Sequence, residues 1–192
     1  MEKNDYRLDV VSVRLVKDSP IYSEVKIISP EAAIQVMGDV FKELDREVVG
    51  VINLKADGTP INCHIASVGS LNHSLVEPRE MLKASILSNA CEIIMIHNHP
   101  SGDLFPSKED IAITDRMTKV CRLIGIPLLD HVIVGGDNKA YFSFNEKGMV
   151  RYEKAERYAD DISRIEFGKA AERSEPDGRE IYGRGTAACK KR

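Results

Sequence analysis

His97-Asn98-His99-Pro100, followed by Ser107 and Asp110, is the stretch of this chain whose residue types and spacing could do chemistry. The two histidines close a short, mostly apolar run that begins at Glu92. In a strand, side chains two apart point to the same face, so both imidazoles can grip one cation. Asp110 falls in the first turn of a following helix, and the loop 100–106 can fold back to bring its carboxylate to the same point. Two nitrogens and one oxygen leave a fourth tetrahedral position for water. That is the ligand composition of a catalytic zinc site rather than a closed structural one. The expected cofactor is therefore one Zn2+ on His97, His99 and Asp110. Each fragment also has a plainer meaning. H-x-H recurs by chance in a chain with five histidines, and Ser-x-x-Asp alone reads as a helix cap. Ser107 can cap the helix while Asp110 ligates.

The elements that must position these residues are legible in the surrounding pattern. Residues 6–16 alternate as a strand. Ser29, Pro30 and Glu31 open a helix over SPEAAIQVMGDVFKEL as N-cap, first helical position and acidic first turn. REVVGVINL and INCHIASVG read as two strands joined through the Ala56-Asp57-Gly58-Thr59 turn. Pro78 starts a second helix running to about Ala90, and Glu92 to His97 forms a buried strand. Ser107 opens a third helix, which Gly125 and Pro127 terminate. LLDHVIVGG and AYFSF supply two closing strands. The expected order is β-α-β-β-α-β-α-β-β, an α/β domain.

Length and composition bound the class. At 192 residues and 43% hydrophobic content, the chain can bury a core without disulfides or a structural metal. A net charge of −3 argues against a surface built throughout to neutralise phosphates. The four cysteines are scattered and form no C-x-x-C pair, which points to reduced thiols. The first ten residues carry no apolar stretch typical of a secretory signal, and no apolar run is long enough to cross a bilayer. The chain reads as a cytoplasmic protein with no membrane partner. Residues 151–192 differ in character: 11 basic and 9 acidic side chains give them a net +2, against −5 for residues 1–150. The division expected is an N-terminal strand segment over 1–27, a folded domain over 28–150, and a charged tail over 151–192. The tail starts as a helix to about Ala171 and ends in a flexible polar stretch.

H-x-H-P, with Ser and Asp following at this spacing, resembles the JAMM motif of MPN-domain metalloproteases. The longer string HNHPSGDLFPSKED, with GSLNHSLVEPREMLKASI upstream and LLDHVIVG downstream, resembles the bacterial RadC branch of that family. The likeness runs from Ile28 to Phe144. It implies a single MPN (JAB)-like domain, a mixed β-sheet flanked by helices in a cytidine deaminase-like layout. It further implies zinc on the residues matching His97, His99 and Asp110, and a serine, here Ser107, that hydrogen-bonds the developing oxyanion. A glutamate at the start of an E-V-x-G strand is implied as general base, and Glu47 in Glu47-Val48-Val49-Gly50 matches it. Read without the likeness, Glu47 is an exposed acid at a strand start. Two departures stand out. The family's peptidases carry Ser or Thr between the histidines where this chain has Asn98, as RadC-like relatives do. Full-length RadC proteins also place a DNA-backbone-binding helix-hairpin-helix ahead of the domain; with about 27 residues before the matching region, a short form without it is expected.

Three functions compete at this point. The first is a zinc-dependent hydrolase of a peptide or isopeptide amide bond, with a peptide or protein substrate. The second is a RadC-type DNA-repair-associated factor acting with nucleic acid or a partner protein, against which the acidic balance of residues 1–150 speaks. The third is a catalytically silent interaction module, against which the complete ligand set speaks. His131 reads as a hydrogen-bonded core residue or a neighbour of the site, His64 and His73 as structural or surface residues, and Cys91 as a core thiol. Lys190, Lys191 and Arg192 read as a solvated end. The letters H-N-H are no nuclease signature, because that motif draws on separated positions.

Overall fold

The computed structural model describes residues 10, 12–18, 20–42, 44, 46–68, 77–135 and 140–150, all within one compact unit, Met1–Glu156. Its elements are α1 (Pro30–Lys42), β1 (Val48–Leu54), β2 (Pro60–Val68), α2 (Pro78–Leu87), β3 (Glu92–His99), α3 (Lys108–Ile124), β4 (Leu128–Gly135) and β5 (Tyr141–Ser143). The strands form one mixed sheet in the order β2-β1-β3-β4-β5. β3 and β4 run parallel, joined through α3, and the remaining neighbours are antiparallel. The expected α/β domain with a mixed sheet and flanking helices is what forms.

Alternation along the central strand sorts the core into two layers. Ile94 and Ile96 of β3 face α1, where they meet Ala33, Ile34, Met37 and Phe41. Ile93 and Met95 face the opposite way, into a cluster with Met81 of α2 and Met117 and Cys121 of α3. β1 and β3 are buried along nearly their whole length, which is why they read as continuous apolar runs rather than half-polar ones. Continuing the same alternation, His97 and His99 emerge on the α3 face and Asn98 on the α1 face.

Local signals account for the element ends. Ser29 accepts the Ala32 N–H at α1. Ser107 and Asp110 form a reciprocal capping box at α3, and Gly125 closes that helix in the left-handed region at φ 74°. In the β1–β2 hairpin, Asp57 Oδ1 accepts the Thr59 N–H at 3.1 Å. Gly58, at φ +78°, offers its carbonyl to the N–H of buried Ile27 at 2.8 Å.

Three expectations are corrected and two fall outside the described residues. No strand forms over residues 10 and 12–16, the described part of 6–16. Their apolar side chains stand in solvent (Val10, Val13, Leu15 and Val16 are all exposed) and no sheet edge meets them. Alternation permits a strand, but pairing makes one. α2 stops at Leu87 rather than near Ala90, because Ser88 caps it and Asn89 turns into positive φ at 50°. Cys91 is exposed, not core: it occupies the bend before β3, and among the described cysteines Cys121 is the buried one. His73 and residues 151–192, the expected helix and tail, lie outside the described residues.

A side chain at Gly58 would be strained twice. Its φ is left-handed, and a Cβ would lie 2.7 Å from Ile28 Cγ2 and 3.2 Å from the Ile27 carbonyl oxygen. Gly58→Ala should destabilise the domain by at least ~1–2 kcal/mol, read as a lower urea midpoint at unchanged m-value. An unchanged midpoint would show that the hairpin does not need this conformation.

Candidate metal centre

The end of β3 and the first turn of α3 bring His97, His99 and Asp110 together, all three buried. One ligand atom from each lies within 4.8 Å of the others, so the group could hold a metal ion. His97 Nε2 is 2.9 Å from His99 Nε2 and 3.3 Å from Asp110 Oδ1, and His99 Nε2 is 3.6 Å from Asp110 Oδ2. Ligands about 2.0–2.1 Å from a common tetrahedral ion sit at roughly such separations from one another.

Hydrogen bonds behind the ligands decide which nitrogen carries a proton. His99 Nδ1 is 2.5 Å from the Asp103 carbonyl oxygen, which can only accept, so Nδ1 bears the hydrogen. In the neutral ring Nε2 then presents a lone pair. For His97 the chain of reasoning runs deeper. Thr114 Oγ1 donates its one proton to the Asp110 carbonyl at 2.5 Å. It must therefore accept from His131 Nδ1, 2.6 Å away. Burial draws the His131 pKa down to about 4, so the ring is neutral and its Nε2 accepts. His97 Nδ1, 2.8 Å from that atom, is thus the donor, and His97 Nε2 too presents a lone pair. With both rings neutral, two lone pairs confront each other at 2.9 Å in a buried place. A cation between them turns that repulsion into coordination.

Asp110 divides its two oxygens. Oδ2 accepts the Ser107 N–H at 2.7 Å and the Ser107 hydroxyl at 2.6 Å. Oδ1 is buried without a hydrogen-bond partner and lies beside His97 Nε2. A buried carboxylate oxygen without a hydrogen-bond partner is costly, and its position beside the imidazole pair fits a ligand atom. The donor set therefore fits a metal.

Charge follows the same geometry. Burial pushes the Asp110 carboxyl up, but His99, His97 and Ser107 outweigh it and hold the carboxyl below its ordinary range. His99 is raised by its interaction with Asp110, with further contributions from the Asp103 carbonyl and the charge of Glu47. His97 is drawn well down, first by burial and then by His131. Glu47 immediately precedes β1, is half-buried, and lies near enough to His99 for its charge to help raise that imidazole.

Of the residues expected from sequence, the structure brings His97, His99, Asp110, Ser107 and Glu47 to one region. His64 lies half-buried on β2 and is no part of the centre. His131 is both a hydrogen-bonded core residue and a neighbour of the site. Thr114 and Asp103 were not singled out. Thr114 carries a signal in hindsight, since it sits one helical turn after Asp110 on the same face. Asp103 contributes a backbone carbonyl and has none.

The comparisons agree on kinship. Residues 27–149 match the family model described as RadC-like JAB domain. A UPF0758 protein of Clostridium acetobutylicum is 42% identical over 129 residues, 67% of this chain and 56% of that protein. A UPF0758 protein of Desulfitobacterium hafniense is 42% identical over 137 residues, 71% of this chain and 59% of that protein. One from Methanosarcina acetivorans is 38% identical over 126 residues, 66% of this chain and 54% of that protein. The match thus spans a little over half the length of these relatives.

Metal titration checks the centre, with Zn2+ as probe and calorimetry as readout. The chain should take up one equivalent, and His97→Ala should take up none. His131→Phe, which removes the acceptor of the His97 Nδ1–H but keeps a ring in place, should weaken uptake about 10–100-fold. Stoichiometric tight binding by His97→Ala would refute the centre. Unchanged affinity in His131→Phe would refute the tautomer relay.

Proposed function

Since the chain belongs to the RadC-like JAB domain family, we propose that it is a JAMM-type zinc metallohydrolase that cleaves a peptide or isopeptide amide bond. One observation carries this reading: two imidazole nitrogens and a carboxylate oxygen without a hydrogen-bond partner converge at the same buried point. Two nitrogens, one oxygen and an open fourth position favour zinc in a catalytic role. Zinc, when bound there, supplies the Lewis acid that brings the ionisation of a water to about pH 7.

The chain's own residues supply the rest. The Glu47 carboxylate takes a proton from the attacking water as the oxygen–carbon bond forms. It then returns that proton to the departing amine nitrogen as the carbon–nitrogen bond breaks, so the base is regenerated. Ser107 stands beside Asp110 with its hydroxyl directed at Oδ2. Turning that hydroxyl towards the substrate leaves Asp110 still held by the Ser107 backbone N–H, so the serine can donate to the developing oxyanion without releasing the ligand. His131 and Thr114 hold His97 in the tautomer that leaves Nε2 free. The free thiols of Cys63, Cys91 and Cys121 suit a reducing, cytoplasmic compartment. No helix among the described residues is long and apolar enough to cross a membrane.

Cleavage of a library of peptides and isopeptide-linked conjugates, with metal content measured in parallel, tests the assignment. Glu47→Gln should keep its zinc and lose about 10²–10⁴-fold in rate. Ser107→Ala should lose about 10²–10³-fold in kcat, and about 1 kcal/mol of stability with the helix cap. Wild-type protein carrying one zinc that cleaves nothing in the library would sink the hydrolase reading. Full activity in Glu47→Gln would sink the base.

A further inference from the structure

Asn98 stands between the two histidines and takes no part in the metal centre, because alternation turns it to the other face of β3. It is nevertheless 3% exposed, and a buried amide must place its polar atoms somewhere. The β1–β3 ladder pairs Val49 with His97 as its last step at this end. One residue further on, the Asn98 side chain continues the ladder in place of backbone. Its Oδ1 accepts the Val48 N–H at 2.8 Å, and its Nδ2 donates to the Arg46 carbonyl at 3.1 Å. Those two backbone groups flank Glu47 on either side.

We propose that Asn98 is a positioning residue for Glu47, clamping the backbone before and after it so that its carboxylate is held towards the His97–His99–Asp110 centre. The amide suits this task because donor and acceptor sit on two different atoms of one rigid plane. A serine hydroxyl concentrates both functions on a single atom of a shorter side chain, so it cannot reproduce the two-point clamp. The peptide segment that carries two metal-facing imidazoles on one face therefore fixes the general base from the other. Base and metal centre are tied to the same three residues of β3. This inference rests on Glu47 acting as base at the centre.

The full chain loaded with Co2+ gives a readout that needs no substrate. The cobalt absorption bands change with pH as a group at the centre ionises, and a carboxylate facing that group moves the midpoint. Glu47→Gln should lower the midpoint by about one pH unit, since a negative charge that disfavours an anion is removed. Asn98→Ala and Asn98→Ser should lower it by a substantial part of that shift while still binding one Co2+. In the Glu47→Gln background the same substitutions should add nothing. In the wild-type protein the Val48 amide should exchange with solvent as slowly as a ladder amide, which reads the clamp even where a variant fails to fold. A shift in Glu47→Gln with none in either Asn98 variant would overturn the clamp and leave the base assignment standing. Additive shifts in the double variants, or a fast-exchanging Val48 amide, would overturn it equally. A wild-type profile in Glu47→Gln would overturn both the base and the inference built on it.

Discussion

Two buried imidazole nitrogens held 2.9 Å apart are the constraint around which this domain is arranged. Left to themselves the rings would turn so that an N–H met a lone pair. They cannot, because each ring is committed on its far side: His99 to the Asp103 carbonyl, His97 to His131 and through it to Thr114. Each commitment comes from a different part of the chain. The loop after β3 supplies one, and β4 and α3 supply the other. The parallel pairing of β3 and β4 makes the second possible, since it sets Met95 beside His131 and His97 beside Ile133. His131 then lies diagonally across from His97 on the α3 face.

Such a cluster is expensive for a fold to hold. Desolvation alone pulls His97 and His131 far from the charged state and opposes the ionised form of Asp110. The offset comes from apolar burial on both faces of the sheet. Ile93 and Met95 lead up to the histidines on one side, and Ile94 and Ile96 on the other, all buried. At roughly 1.5–3 kcal/mol for each such side chain taken fully out of water, this short strand has ample apolar burial to set against the polar cluster at its tip. The chemistry sits where the strand ends because only there can side chains of the same rigid element face both core and opening.

How far the sequence revealed this can be argued from particular residues. Local signals were legible: Ser29-Pro30 and Ser107 with Asp110 start helices by satisfying their own first turns, and Gly58 and Gly125 mark backbone that only glycine adopts without strain. The H-x-H pair was legible for the same reason, since strand periodicity alone places both rings on one face. What escaped depends on distant partners. The alternating stretch 6–16 has a strand's pattern but, in its described part, no strand beside it. Cys91 has a core residue's chemistry but lies in a bend. Asn98 reaches groups 50 and 52 residues away in sequence, and Thr114 meets His131 across 17. No local pattern encodes those meetings.

The division of labour within Asp110 shows why a cap and a metal ligand can be the same residue. A helix of this kind needs its N3 side chain to reach back to the N-cap, and that occupies one oxygen, Oδ2. The second oxygen is then aimed by the first, since a carboxylate is planar and its anchored half fixes the rest. Ser107 therefore does more than start α3: by holding Oδ2 through both N–H and hydroxyl, it turns Oδ1 onto the His97 nitrogen. The plain reading of Ser-x-x-Asp as a helix start and the chemical reading of Asp110 as a ligand describe one geometry. The cap is the device that points the ligand.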